Sequence, residues 1–122
     1  KHNKEAFHRE HMSIEPIDGD RFVESMASAR GVFCGAGFET PAEALFLGKK
    51  LMVLPMKNQY EQHLNAAALQ EMGVPILKNL KPEHDSQVAS WLTNEQVVQV
   101  DYPDQTQEIV DMILDRHLWH SF

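Results

Sequence analysis

At 122 residues and 43% hydrophobic content, the chain can bury one modest core and reads as one domain. A formal charge of −7, with no Lys/Arg cluster beyond Lys49-Lys50, argues against nucleic acid or an anionic membrane surface as the main partner. One cysteine rules out an internal disulfide framework, and no apolar stretch approaches the roughly 20 residues that span a bilayer, so a reducing, cytoplasmic setting is expected.

Residues 1–11 are polar and His-rich, and residues 12–17 read as a strand entering with no upstream partner. Asp18-Gly19-Asp20 then turns into a helix with Phe22, Val23, Met26 and Ala29 on its inner face. Of the seven histidines, His8/His11 and His117/His120 are spaced i, i+3, but neither pair has the cysteine or carboxylate company of a zinc site, so no metal is expected.

Val32-Phe33-Cys34 is a short apolar run, a strand that ends in Gly35-Ala36-Gly37, where two glycines let the backbone turn tightly and come close to a ligand. Thr40, Pro41 and Glu43 follow with the chemistry of a helix start: a hydroxyl N-cap, a first-turn proline and a capping-box carboxylate. Unpaired amides and the positive end of the helix dipole make such a start a ready anion site. Ala44, Leu45 and Leu47 supply the helix's apolar side and Gly48 closes it. Leu51-Met52-Val53-Leu54 is a strand apolar on both faces, stopped by Pro55. After Lys57-Asn58-Gln59 comes a helix with Tyr60, Leu64, Ala67, Ala68 and Met72 expected inward, Gly73 as its stop, and Gln62 and Asn65 sharing one edge near its start.

Farther on, residues 74–77 read as a short strand, Pro82-Glu83 opens a helix containing Val88 and Leu92, and residues 97–100 read as a small edge strand. Residues 104–119 read as an amphipathic helix with Ile109, Val110, Ile113, Leu114 and Leu118 inward. Trp119 and Phe122 are expected to pack in the core or against a further domain. The serines lie outside any hydrolase-type strand-to-helix elbow, so a Ser-His-Asp mechanism finds no support.

Two parallel strands joined by a right-handed helical crossover bring both trailing loops to one rim of the sheet. Residues 35–43 and 57–65 are therefore expected to face a single cleft, one supplying backbone N–H groups and the other carboxylate and amide side chains. A phosphorylated, hydroxyl-rich ligand suits that mixture. Singly, Thr40 and Glu43 suit a plain helix cap, and Gly35 and Gly37 a plain turn. The two segments in order around a strand are what point to a ligand.

In G37-F-E-T40-P-A-E43 and, after a strand ending in proline, E61-Q62-H-L-N65-A66, the chain resembles the carboxyl-terminal domain of GT-B glycosyltransferases, particularly the bacterial GlcNAc transferases that form lipid II and the UDP-sugar transferases. Plant members carry a histidine before the glycine turn and a tryptophan after it, where this chain has Cys34-Gly35 and Phe38, so the likeness is closer to the bacterial branch. The resemblance implies an α/β fold, a three-layer Rossmann-like parallel sheet with flanking helices, whose N-terminal part is incomplete over residues 1–122 and whose acceptor domain lies upstream. It implies a nucleotide-sugar donor, UDP-linked, with no cofactor and no metal. The amides around Gly37, Phe38, Glu39 and Thr40 would hold the pyrophosphate, Glu43 the ribose hydroxyls, Glu61 and Gln62 the sugar hydroxyls, and Asn65 would brace that loop. The base that activates the acceptor would sit in the other domain. A sugar-nucleotide epimerase and a non-catalytic anion or nucleotide-sugar binding module are the alternative readings on the same frame.

Overall fold

The computed structural model describes residues 4–118, an α/β arrangement built on a short parallel sheet. The chain opens with an antiparallel hairpin of β1 (Phe7–Arg9) and β2 (Met12–Ile14), Phe7 opposite Ile14 and Arg9 opposite Met12. The strand expected over residues 12–17 is thus shorter and does have an upstream partner. A polar, solvent-exposed strand carries no apolar alternation to announce it, and Pro16 cannot donate to a continuing ladder.

Helix α1 (Gly19–Ser28) begins where Asp18, in extended backbone, accepts the Arg21 N–H at 3.0 Å through its carboxylate. Met26 is buried and Ala29 half-buried, whereas Phe22 and Val23, expected inward, are exposed. The helix's apolar stripe is wider than so narrow a sheet can cover.

Strands β3 (Gly31–Gly35) and β4 (Lys50–Leu54) pair in parallel, from Gly31 opposite Lys50 to Gly35 opposite Leu54, with α2 (Glu39–Phe46) as their crossover. Val32 and Cys34 pair with Leu51 and Val53, so these four share a face; Ala44 and Leu45 of α2, Met26 of α1, and Ala66 and Leu69 of α3 (Tyr60–Glu71) join the same core. Both Met52 and Leu77 are fully buried, which agrees with a β4 apolar on both faces. Beyond β4, residues 74–77 make one parallel bridge, Val53 to Ile76, rather than a strand. Val53 donates to Pro75 O at 3.2 Å and Leu77 donates to Val53 O at 2.8 Å, but Pro75 has no N–H with which to extend the ladder.

Helices α2 and α3 end in the same way. Gly48 (φ +64°) and Gly73 (φ +96°) occupy the left-handed position, Lys49 N–H reaches Ala44 O at 2.9 Å, and Val74 N–H reaches Leu69 O at 3.0 Å. These are Schellman closures, as expected from both glycines.

A 3-10 turn (Pro82–His84) leads into α4 (Asp85–Thr93). Val88 is half-buried and Leu92 exposed; Trp91 is the larger side chain turned inward, so close that a Cβ on Gly31 would lie 3.1 Å from its Cζ2. Residues 97–100 form no strand, although Val98 and Val100 pack against the core. Helix α5 (Thr106–Leu118) leaves Ile109, Val110, Ile113 and Leu114 exposed, contrary to the inward face expected of them. The Leu118 side chain, Trp119 and Phe122 lie outside the described residues. No helix among the described residues is long and apolar enough to cross a membrane.

Candidate functional site

The two strand-to-helix junctions meet through one side chain. Gln62 Oε1 accepts the Ala36 N–H at 3.2 Å, in the turn after β3, and the Met56 N–H at 2.8 Å, in the loop after β4. One turn farther along α3, Asn65 Nδ2 donates to Ala36 O at 3.1 Å. The partners are backbone N–H and C=O groups of fixed polarity, which sets the orientation of both amides. Ala36 is fully buried, and both of its backbone groups end on α3 side chains.

This geometry explains a difference of phase in α3. The buried side runs through Ala66 and Leu69 with Gln62 and Asn65 half-buried beside them, while Tyr60, Leu64, Ala67, Ala68 and Met72, expected inward, are exposed. A stripe at 62, 65, 66 and 69 has helical spacing, but two of its four members are amides. They turn inward because the junctions offer unpaired backbone groups that an apolar side chain would strand.

Helix α2 starts two residues earlier than the Thr40 cap implies. Glu39 is its first residue, Phe38 holds the N-cap position, and no side chain caps the helix, so Thr40 and Glu43 do not form the expected capping box. Pro41 falls within the first turn, where its missing N–H costs nothing. The backbone amides at the start of α2 are thus left without side-chain partners. Neither Gly35 nor Gly37 adopts a positive φ, and a Cβ on Gly37 would meet nothing within 4 Å, so that turn faces open space.

Around this start the expected site residues divide. Gly37, Phe38 and Asn65 border a hollow of about 410 Å³ between α2 and α3, with Pro41, Met72 and Tyr102 among its walls. Thr40 borders a separate hollow of about 250 Å³ beside Phe22 and Phe33. Glu39, Glu43 and Glu61 are exposed, and their carboxylates form no hydrogen bond or ion pair with the described residues. A larger hollow, about 600 Å³, lies away from both junctions, between β2 and α1, where Arg21 and Glu15 pair at 3.2 Å. Cys34 lies beneath the junction with its thiol pushed up to about 11 by burial, which makes it a poor nucleophile at neutral pH. Among the described residues no three His, Cys, Asp or Glu side chains gather where they could hold a metal ion.

The family profile described as glycosyl transferase family 1 matches residues 3–95, which span the hairpin, both junctions and α4. The chain belongs to glycosyl transferase family 1. It is a glycosyltransferase domain of the GT-B type, and its α/β architecture is that of a partial Rossmann-like unit. Neither a curated protein nor a solved structure is significantly similar to it.

In this glycosyltransferase domain the backbone of Ala36 and Met56 is as much part of the junction as any side chain, and reading by residue type overlooks it. The available signal was the spacing of Gln62, Asn65, Ala66 and Leu69, with a small alanine where the helix comes close to the turn.

Proposed function

We propose that the domain binds a nucleotide-sugar, UDP-linked, across the two junctions, and that the sugar passes to a hydroxyl of an acceptor held by a separate domain upstream. The observation that carries this reading is the joining of both junctions on Gln62 Oε1, which sets the uncapped start of α2 beside the start of α3. The amides of Gly37, Phe38, Glu39 and Thr40 take the pyrophosphate, with the Thr40 hydroxyl adjacent. Glu43, an exposed acceptor-only carboxylate on the same helix, takes the ribose hydroxyls. Glu61 and the Gln62 Nε2 donor take hydroxyls of the sugar, and Asn65 braces the turn.

Chemically, such a site orients the donor and stabilises the leaving group. As the bond from sugar to diphosphate breaks, negative charge builds on the phosphate oxygens, and fixed amides with the α2 dipole behind them offset it without reorganising. The proton of the acceptor hydroxyl goes to a base in the other domain.

Calorimetric titration with UDP, UDP-GlcNAc and other sugar nucleotides tests the proposal. Binding that weakens by about tenfold or more in Glu43→Ala is expected, in line with loss of a charge-assisted hydrogen bond. No binding by the chain, with or without an upstream domain, would overturn it. Inversion of the bound sugar without transfer would point instead to an epimerase.

A further inference from the structure

We infer that Gln62 is a positioning residue whose carbonyl oxygen locks the phosphate-facing turn and the sugar-facing loop into one body, a role that rests on the donor-binding reading above. A side chain that only gripped a sugar hydroxyl would keep both ends of its amide for the ligand. Gln62 instead directs Oε1 at two backbone N–H groups from different junctions, at 3.2 Å and 2.8 Å, and has only Nε2 left as a donor toward a ligand. Asn65 adds the bond to Ala36 O at 3.1 Å, so the residue preceding Gly37 is held from both sides by α3. A Cβ on Gly35 would lie 3.5 Å from Oε1, so the amide sits directly over the strand end.

The consequence is mechanical. The α2 amides that would meet phosphate begin immediately after Ala36, and α3 begins shortly after Met56, so moving either loop alone breaks a bond to Oε1. Phosphate and sugar subsites then hold a constant separation, which suits a donor whose two ends must be gripped in register. Glu61, exposed and outside this set of bonds, is left as the side chain with a carboxylate entirely available to the sugar.

The test uses the full chain and Gln62→Met, which keeps the side chain's length and removes the strong acceptor. Affinities for UDP and for UDP-GlcNAc are measured together with amide exchange at Ala36 and Met56. The expected result is exchange at both amides accelerated by about tenfold or more, with UDP and UDP-GlcNAc weakened by the same factor. Gln62→Glu, whose carboxylate can accept both N–H groups, is expected to restore protection of the two amides. A loss confined to UDP-GlcNAc, with UDP affinity and both amides unchanged, would overturn the positioning role and leave a plain sugar contact. If the unaltered chain binds neither nucleotide, the donor reading fails and the positioning role with it; the bridge itself is still read from exchange at Ala36 and Met56.

Discussion

Lys50 holds its ammonium 5.3 Å from the centre of the Trp91 ring while donating a hydrogen bond to Leu92 O at 3.1 Å. Its residue is almost fully buried, yet its partner is a helix end rather than a carboxylate. Helix α4 has no basic residue in its last turn, and neither has α1, whose Ala27 O accepts from Lys49 Nζ at 2.6 Å. Adjacent lysines at the start of β4 thus supply the cations that two helix C-termini lack.

Lys50→Ala is therefore expected to cost about 2 kcal/mol, from the lost cation–π contact, the charged hydrogen bond and stem packing together. Lys50→Met keeps the stem and should cost about half of that. Urea denaturation of the two variants measures both, and a change below about 0.5 kcal/mol in Lys50→Ala would mean that the ammonium gains nothing from the site. Gly31→Ala probes the same contact from the other side: its Cβ would lie 3.1 Å from Trp91 Cζ2 and 3.2 Å from Lys50 Cβ, so a loss of about 1–3 kcal/mol is expected.

The two helix stops can be separated from packing by substitution. A Cβ on Gly48 meets nothing, and one on Gly73 meets only Val98 Cγ2 at 3.8 Å, so alanine at either position is opposed by the positive φ alone. Each variant should lose about 1 kcal/mol. Gly19, in the first turn of α1, has open space and no positive φ, and Gly19→Ala should gain about 0.5 kcal/mol by restricting the unfolded chain. Thermal unfolding of all three reads the contrast in sign directly.

These stops, with Pro55 and the apolar run 51–54, mark where the architecture is legible in the amino-acid order. The ends of α2, β4 and α3 each have their own local chemistry: Gly48, Pro55 and Gly73. What is not legible depends on long-range partners. Nothing near Thr40 in sequence reveals that α2 starts at Glu39, because an uncapped start is a matter of what it faces. The phase of α3 misleads because Gln62 and Asn65 look like surface residues until the backbone of Ala36 and Met56 is brought to them. Val98 reaches the core without a ladder, and the apolar side of α5 stays exposed, so apolar alternation and apolar stripes overstate what is paired.

Cys34 carries a pH signature. Its thiol, 9.0 when unperturbed, rises to about 11 in the folded chain because burial disfavours the thiolate. The unfolded chain therefore ionises first, so this contribution to stability is intact below pH 9 and is lost as pH climbs from 9 through 11. Cys34→Ala should lack that loss, which unfolding at pH 8 and pH 11 would reveal as a shrinking difference between the two proteins. At pH 8 the lower thiolate fraction alone should slow iodoacetamide alkylation by about 100-fold relative to the denatured chain. Equal rates in folded and denatured protein would contradict the half-buried position.

Asn65 offers a sharper test of the junction than simple deletion. Its Nδ2 donates to the carbonyl of fully buried Ala36, a bond that a carboxylate reverses into a clash of two acceptors. Asn65→Asp should cost about 2 kcal/mol at pH 7, from a lost bond and a half-buried charge facing an oxygen. The protonated acid can donate again, so the introduced group has a folded-state pKa above its unfolded value of about 4. Its stabilising form is then fully present below that unfolded value and disappears as pH rises through the folded one. The gap in melting temperature between variant and parent should accordingly be small at pH 4 and wide at pH 7. A gap that is constant across this range would mean that position 65 senses only volume and that Ala36 O finds its partner elsewhere.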